Sequence, residues 1–135
     1  MIYGIGIDIV HIPKFKKALE RWGDKFKNRL FTGNELTYCE KRRFSEQHLA
    51  VRFAAKEAFL KALGKRKKFN EIEVANNSDG KPCIRISDFG FRISELKIPN
   101  PKSQIQNLKA HLTLSHDADY CIAQVILETV KEVFV

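Results

Sequence analysis

Residues 52–64 have the sequence RFAAKEAFLKALG, which predicts the second half of a long helix. We expect this helix to cover 45–63, because Gly64 suits the left-handed position that commonly closes a helix. Glu57 and Lys61 are four residues apart, as are Phe53 and Glu57, so all three side chains share one helical face. An acidic and a basic group therefore stand together on an otherwise Ala-rich segment.

A second acid lies within an apolar strand near the N-terminus. Residues 2–10, IYGIGIDIV, alternate in the manner of a strand, with Gly4, Gly6 and Asp8 on one face. The two glycines leave room on that face for a ligand or for another backbone. Burying an acid there costs free energy unless a cation or hydrogen-bond donors satisfy it. Because Mg²⁺ takes one or two carboxylates plus waters and substrate phosphates, Asp8 and Glu57 predict a metal-phosphate site.

Both acids also have ordinary structural interpretations. Asp8 could be a strand-end acid that faces solvent. Glu57 could form only a helical ion pair with Lys61, which is common and contributes about a few tenths of a kcal/mol. The two interpretations of Glu57 are compatible, because Lys61 can balance the site when the metal is absent.

The other helices are predicted from periodicity and capping residues. A helix beginning near Pro13 should bury an apolar stripe and break at Gly23, before a short helix over 24–30. The stripe consists of Phe15, Ala18, Leu19 and Trp22. Thr32 and Glu35 fit a capping box, which predicts a helix reaching about Arg42.

The second half of the chain is typical of strands. They are predicted over Glu71–Ala75, Pro82–Ile86, 110–115 and Tyr120–Leu127. Asp79-Gly80 is a hairpin signal between the first two. Residues 90–108 contain Pro99 and Pro101, which exclude a continuous helix. Together the elements predict an α+β fold, with an antiparallel-rich sheet and helices packed on one side.

Length and composition predict one globular domain over residues 1–135. No apolar run approaches the roughly 20 residues needed to cross a bilayer, and the N-terminus lacks a signal-peptide pattern. Three scattered cysteines suit reduced packing residues better than a disulfide framework. They are Cys39, Cys83 and Cys121. The sequence therefore predicts a cytoplasmic protein that is not embedded in a membrane.

The net charge of +8 indicates an acidic partner. Nucleic acid, anionic lipid, a phosphorylated small molecule and an acidic protein all remain possible on charge alone. A basic nucleic-acid-binding module without enzymatic activity is thus an alternative function. This function does not explain Asp8 and Glu57, because two carboxylates would repel nucleic-acid phosphates unless a metal were bound. The chain also lacks the aromatic-studded strand motif of a typical RNA binder.

Several motifs resemble the holo-acyl-carrier-protein synthases, the small bacterial 4′-phosphopantetheinyl transferases. They occur in family order between residue 2 and about residue 125, and the string Phe-Ala-Ala-Lys-Glu-Ala followed by Lys-Ala-Leu-Gly is the most specific. The matching segments are residues 4–10, Phe31-Thr32 with Glu35, residues 52–64 and Leu114-Ser115-His116.

The resemblance implies transfer of 4′-phosphopantetheine from coenzyme A to a serine of apo acyl carrier protein. The products would be holo acyl carrier protein, which supports fatty acid biosynthesis, and adenosine 3′,5′-bisphosphate. It also implies the family's fold, Mg²⁺ as cofactor, and a homotrimer with active sites at the subunit interfaces. No nucleic acid partner is implied.

The resemblance further implies roles for individual residues. Asp8 and Glu57 would bind Mg²⁺, and Lys61 would complete the catalytic set by facing the pyrophosphate and the reacting hydroxyl. The general base stays open between a metal-associated water and Lys61. Coenzyme A would be bound by Arg52, Lys61, Gly64, Lys65, His111 and Ser115. The carrier protein would dock on Lys14, Lys17, Arg21 and Lys25.

Three of these positions carry alternatives. A lone strand histidine such as His111 is usually a surface residue. Ser115 and His116 resemble a nucleophile and a base, but adjacent strand residues point to opposite faces, so a serine-hydrolase site is excluded. Arg66 replaces a glycine common in the family, which leaves the phosphate-loop geometry near Lys65 open.

Overall fold

The structure, a computed structural model, describes residues 1–86 and 107–130. Within these two ranges, a 3₁₀ turn over Phe69–Glu71 accompanies three helices and five strands. In chain order these are β1 (Ile2–His11), α1 (Ile12–Leu30), α2 (Gly33–Glu40), α3 (Ser45–Leu63), β2 (Ile72–Asn76), β3 (Pro82–Ile86), β4 (Asn107–Asp117) and β5 (Tyr120–Val130).

The strands form two antiparallel sheets within the described part of the chain. One contains β1, β5 and β4 in that order, and the other is the β2–β3 hairpin. Helix α3 packs against β1 and β5, and α1 and α2 pack in turn on α3. The predicted α+β fold is confirmed, with its strands divided between two sheets.

Gly4 and Gly6 allow α3 to lie directly on β1. A Cβ atom at Gly4 would lie 1.9 Å from the carbonyl oxygen of Ala62, and one at Gly6 would lie 1.8 Å from that of Ala58. Of the two uses expected for these glycines, the structure shows the approach of another backbone. This contact sets the distance between α3 and the strand that carries Asp8.

Helix α1 is kinked at Gly23, as predicted, where φ is 68° and ψ is −154°. Phe15 and Leu19 are buried, but Trp22 is 59% exposed, so its assignment to the buried stripe is wrong. The buried stripe of the first segment ends at Leu19, and burial resumes only at Leu30 after the kink. The exposed Trp22 ring contacts a charged neighbour instead of the core, with the Arg21 guanidinium carbon 5.0 Å from its centroid.

The remaining boundaries follow their local signals. The capping box of Thr32 and Glu35 is present, but α2 ends at Glu40, shorter than predicted. Helix α3 ends at Leu63, with Gly64 left-handed at φ 73°. The prediction for 90–108 lies almost entirely outside the described residues, and the single domain over residues 1–135 stays a prediction.

Candidate active site

The two predicted acids and Lys61 come together where α3 lies on β1. The Nζ atom of Lys61 donates to Asp8 Oδ1 and to the carbonyl oxygen of Ile7, each at 3.0 Å. The Asp8 side chain is 16% exposed, whereas that of Lys61 is 53% exposed. Asp8 is therefore a partly buried acid with a cation beside it, and not a solvent-facing strand end.

Glu57 experiences the charge of Asp8. Burial raises the pKa of Glu57 above its usual value, and the Asp8 carboxylate raises it further, while Lys61 acts in the opposite direction. Two carboxylates close enough to repel each other accept a proton at higher pH than an isolated acid. A bound cation would relieve this repulsion, so the arrangement favours a positive ion between them.

Two open cavities adjoin Glu57. The first, which we call the carboxylate pocket, has a volume of about 530 Å³. Its walls include Asp8, Lys14, Phe53, Glu57 and Tyr120. The second, which we call the basic cleft, has a volume of about 410 Å³. Its walls include Glu57, Lys61, Gly64, Lys65, Arg66, Lys67 and Phe69. Glu57 thus lines both a partly apolar pocket and a cationic cleft, and Asp8 lines the pocket.

Arg52 lies outside both cavities, in a separate cationic cluster. It is 5% exposed, and its guanidinium donates to Asn76 Oδ1 at 2.9 Å and to the carbonyl oxygen of His48 at 3.3 Å. Its Nε atom is buried without a hydrogen-bond partner among the described residues. The guanidinium carbons of Arg42 and Arg52 lie 4.3 and 4.5 Å from the ring centroid of Tyr38. The cluster therefore has an N–H group to offer to an acceptor.

The positive character of this cluster extends to His48. Burial lowers the pKa of His48, and the charges of Arg52, Arg42 and His116 lower it further. Such a concentration of positive groups favours an anion over a further cation.

His111 and Ser115 lie on the other face of the sheet from α3. Both are exposed, whereas Leu112, between them on β4, is buried. His111 pairs with Ile126 and Ser115 with Ile122 on β5. Within one chain, the structure does not bring these two residues together with Asp8 and Glu57.

The predicted docking residues divide between two places. Lys14, Lys17 and Arg21 are exposed on the first segment of α1. Lys14 also lines the carboxylate pocket. Lys25 is exposed beyond the kink, so helical spacing does not align it with the other three.

Sequence reasoning missed the buried pair of Lys56 and Glu35. Lys56 is fully buried and Glu35 is 2% exposed. Burial lowers the pKa of Lys56, and the Glu35 carboxylate opposes that shift. The available signal was the position of Lys56 between Ala54-Ala55 and Ala58-Phe59, on a helix whose small apolar residues are buried.

The three cysteines, Cys39, Cys83 and Cys121, are free thiols, and Cys83 is partly buried. Cys39 and Cys121 are buried, and burial followed by the charge of Asp8 raises the pKa of Cys121 to about 11. A thiol with so high a pKa is a poor nucleophile, which makes Cys121 a packing residue beside the acids.

Within residues 1–86 and 107–130, no group of three or more His, Cys, Asp or Glu side chains is arranged to hold a metal ion. No helix in those ranges is long and apolar enough to span a membrane.

Comparisons with known proteins agree on one family. Residues 4–125 match the model of the 4′-phosphopantetheinyl transferase superfamily. The holo-acyl-carrier-protein synthase of Clostridium tetani is 42% identical, and the alignment covers 95% of this chain and 97% of that protein. The synthase of Geobacter metallireducens is also 42% identical, over 96% of this chain and 100% of that protein.

Solved structures give the same result. A Bacillus anthracis holo-acyl-carrier-protein synthase in complex with coenzyme A (3′,5′-ADP) superposes with a TM-score of 0.75 at 33% identity, over 96% of this chain and 99% of that one. The Helicobacter pylori synthase in complex with coenzyme A gives a TM-score of 0.70 at 30% identity, over 92% and 99% of the two chains. The chain therefore belongs to the 4′-phosphopantetheinyl transferase superfamily, among its holo-acyl-carrier-protein synthases.

Proposed function

We propose that this protein transfers the 4′-phosphopantetheine group from coenzyme A to a serine of apo acyl carrier protein. The products are holo acyl carrier protein and adenosine 3′,5′-bisphosphate. The observation that carries the proposal is the meeting of Asp8, Glu57 and Lys61 beside a basic cleft, in a chain of this family. The alternative, a nucleic-acid-binding module, is not favoured because the matching proteins are transferases.

Asp8 and Glu57 fit a Mg²⁺ ion. They offer carboxylate oxygens, the ligand type Mg²⁺ prefers, and the charge of Asp8 adds to the burial that raises the pKa of Glu57, which a cation would oppose. A pair of protein ligands is also usual for Mg²⁺, which keeps waters and substrate phosphates as its other ligands. When bound, the ion would neutralise negative charge on the pyrophosphate and on the leaving group.

Lys61 suits the role of a phosphate-binding catalytic group. Its ammonium already lies 3.0 Å from Asp8 Oδ1, and its side chain lines the basic cleft that begins at Glu57. From this position it can donate to the pyrophosphate and stabilise negative charge at phosphorus during in-line attack by the serine hydroxyl. The base for the serine proton stays open between Lys61 and a water associated with the metal.

Coenzyme A carries more than one phosphate, and the chain offers more than one cationic site. Gly64 and Lys65 form part of the basic cleft, which we assign to the pyrophosphate. We assign the 3′-phosphate to the cluster around Arg52, because its buried Nε–H has no acceptor in the described part of the chain and the Arg42 guanidinium lies over the same tyrosine ring. Arginine guanidinium groups bind phosphate with paired hydrogen bonds.

A homotrimer would bring His111 and Ser115 to the acids of a neighbouring subunit. The sheet face that carries both residues also exposes a row of large aliphatic side chains. Ile5, Ile7, Ile9 and Ile122 are 56%, 57%, 60% and 40% exposed. A row of this kind is typical of a subunit interface. Light scattering should give the mass of three chains, and a monomer mass would contradict the trimer.

We also propose that the reaction takes place in the cytoplasm. The three cysteines are free thiols, two of them buried, as is usual for proteins of a reducing compartment. In that compartment the enzyme would supply holo carrier protein for fatty acid biosynthesis.

One experiment tests the transfer itself. The protein is incubated with coenzyme A, Mg²⁺ and apo acyl carrier protein, and the carrier is weighed by mass spectrometry. We expect the carrier to gain the mass of one phosphopantetheine group. A carrier mass that stays unchanged would refute the proposed function.

The docking surface gives a prediction of its own. Because Lys14 lines the carboxylate pocket, we choose Lys17→Glu with Arg21→Glu as the charge reversal. Acyl carrier proteins are acidic, so we expect the KM for the carrier to rise on the order of tenfold at low salt. The KM for coenzyme A should stay nearly constant. Salt should weaken carrier binding to the wild type in the same way, because screening acts over about 8 Å at physiological ionic strength.

The neighbouring residue Lys16 provides the control. It is also exposed on α1, but at 100° per residue it projects from a different side of the helix than Lys17 and Arg21. Lys16→Glu should change the carrier KM by less than about twofold. If Lys16→Glu raises the carrier KM as much as the double reversal at Lys17 and Arg21 does, or if the double reversal weakens coenzyme A binding, this face is not the docking site.

A further inference from the structure

A fully buried lysine stands next to the proposed metal ligand Glu57. The Nζ atom of Lys56 donates to Glu35 Oε1, to the carbonyl oxygen of Leu30 at 2.6 Å, and to that of Phe69 at 3.0 Å. An ammonium group has three N–H donors, so every one of them has an acceptor. No member of this arrangement has a role in the chemistry described above.

These bonds join α3 to three other parts of the chain. Leu30 is the last residue of α1, Glu35 lies in the first turn of α2, and Phe69 begins the 3₁₀ turn. Glu35 extends the network, because its Oε1 accepts from the backbone N–H of Thr32 and its Oε2 from that of Val74 on β2. Lys56 is therefore the point at which these segments are held against α3.

The network fixes both sides of the basic cleft. Glu57 and Lys61 form one side, and Phe69 forms part of the other, with the basic loop 64–68 between them. The bond from Lys56 to the carbonyl oxygen of Phe69 attaches the residue that follows this loop to α3. Rotation of α3 about its axis is limited on one face by Lys56 and on another by the contact with Gly6.

We propose that Lys56 is a positioning residue, which holds Glu57 and the Phe69 end of the basic loop at the separation that coenzyme A requires. This inference rests on the proposed function, since it assigns the basic cleft to the phosphates of coenzyme A. Lys56 touches no reacting atom, and it acts through the backbone of α3 and through the Phe69 carbonyl. Small displacements of such groups have large kinetic effects, up to about 100-fold for about 1 Å.

A purely structural role makes a different prediction. Removing one partner of a buried ion pair leaves an uncompensated charge and destabilises the protein, whereas removing both charges is often tolerated. The double variant Lys56→Met with Glu35→Gln eliminates both charges. Its amide oxygen can accept from the N–H of Thr32 or of Val74, but not from both, and Glu35→Gln alone carries the same loss. The double variant abolishes the bonds to Leu30 and Phe69, so positioning is lost without a stranded charge.

The experiment compares the steady-state kinetics of three variants at a temperature at which circular dichroism shows each to be folded. The double variant should raise the KM for coenzyme A and lower kcat, together by roughly 10- to 100-fold in kcat/KM. Glu35→Gln, which keeps the Lys56 bonds to Leu30 and Phe69, should stay within about threefold of the wild type. Leu112→Ala truncates a buried side chain on β4, so it should lower Tm by leaving a cavity. It should leave kcat and the KM for coenzyme A nearly unchanged.

Several results would overturn the inference. One is a double variant that folds and keeps wild-type kcat and KM. Another is a drop in kcat/KM in Glu35→Gln as large as that of the double variant. The third is a drop in kcat/KM in Leu112→Ala that accompanies its lower Tm. If the double variant does not fold, hydrogen exchange on the wild type decides. Coenzyme A should slow exchange in residues 64–71, and unchanged exchange there would overturn the inference. An inactive wild type would instead refute the proposed function, whereas slowed exchange in residues 64–71 would still show coenzyme A bound along the cleft that Lys56 is proposed to hold.

Discussion

Replacing Asp8 with Asn, or Glu57 with Gln, should lower kcat on the order of 100-fold or more while the protein remains folded. Each change removes a carboxylate from the Mg²⁺ site but preserves side-chain size, and neither residue belongs to the hydrophobic core. The measurement is turnover of apo acyl carrier protein as a function of Mg²⁺ concentration. We expect the remaining activity to require more Mg²⁺ than the wild type does.

Asp79→Asn is the matched control. Asp79 is an exposed acid in the β2–β3 turn, far along the chain from both proposed ligands, so this variant should retain wild-type turnover and Mg²⁺ dependence. If Asp8→Asn or Glu57→Gln keeps near-wild-type activity at limiting Mg²⁺, that residue is not a ligand.

Adding a single methyl group at Gly6 should have the largest effect on folding. The new Cβ atom would lie 1.8 Å from the carbonyl oxygen of Ala58, and this oxygen belongs to the backbone of α3, which cannot rotate away. The helix must therefore separate from β1. We expect Gly6→Ala to cost about 3 kcal/mol or more, at the upper end of overpacking effects. Urea unfolding at matched protein concentrations measures the loss.

Gly33 offers the matching control on α2. A Cβ atom there would have nothing within 4 Å, so the same substitution adds no contact. Gly33→Ala should leave stability unchanged or raise it by up to about 1 kcal/mol, because alanine loses less backbone entropy in a helix. Equal stability of the Gly6 and Gly33 variants would contradict the close packing of α3 on β1.

The local signals of the sequence were sufficient for most secondary structure. The left-handed Gly64 after α3, the capping box of Thr32 and Glu35 and the kink at Gly23 each depend on residues close in the chain. Such signals act over one or two helical turns, so they can be recognised without knowledge of the tertiary contacts. The last residue of a helix is predicted less accurately, since α2 ends at Glu40 and not near Arg42.

The amino-acid sequence by itself also assigned Glu57 and Lys61 to one face of α3 and Asp8 to the glycine face of β1, whereas the tertiary structure brought these two faces together. Only the tertiary structure decided which backbone occupies the space beside Gly6, why Trp22 is exposed, and where Lys56 finds its acceptors. It also placed His111 on the sheet face away from α3. The physical reason is range: propensity and periodicity depend on neighbours in the chain, whereas burial and buried hydrogen bonds depend on segments distant in sequence that pack together.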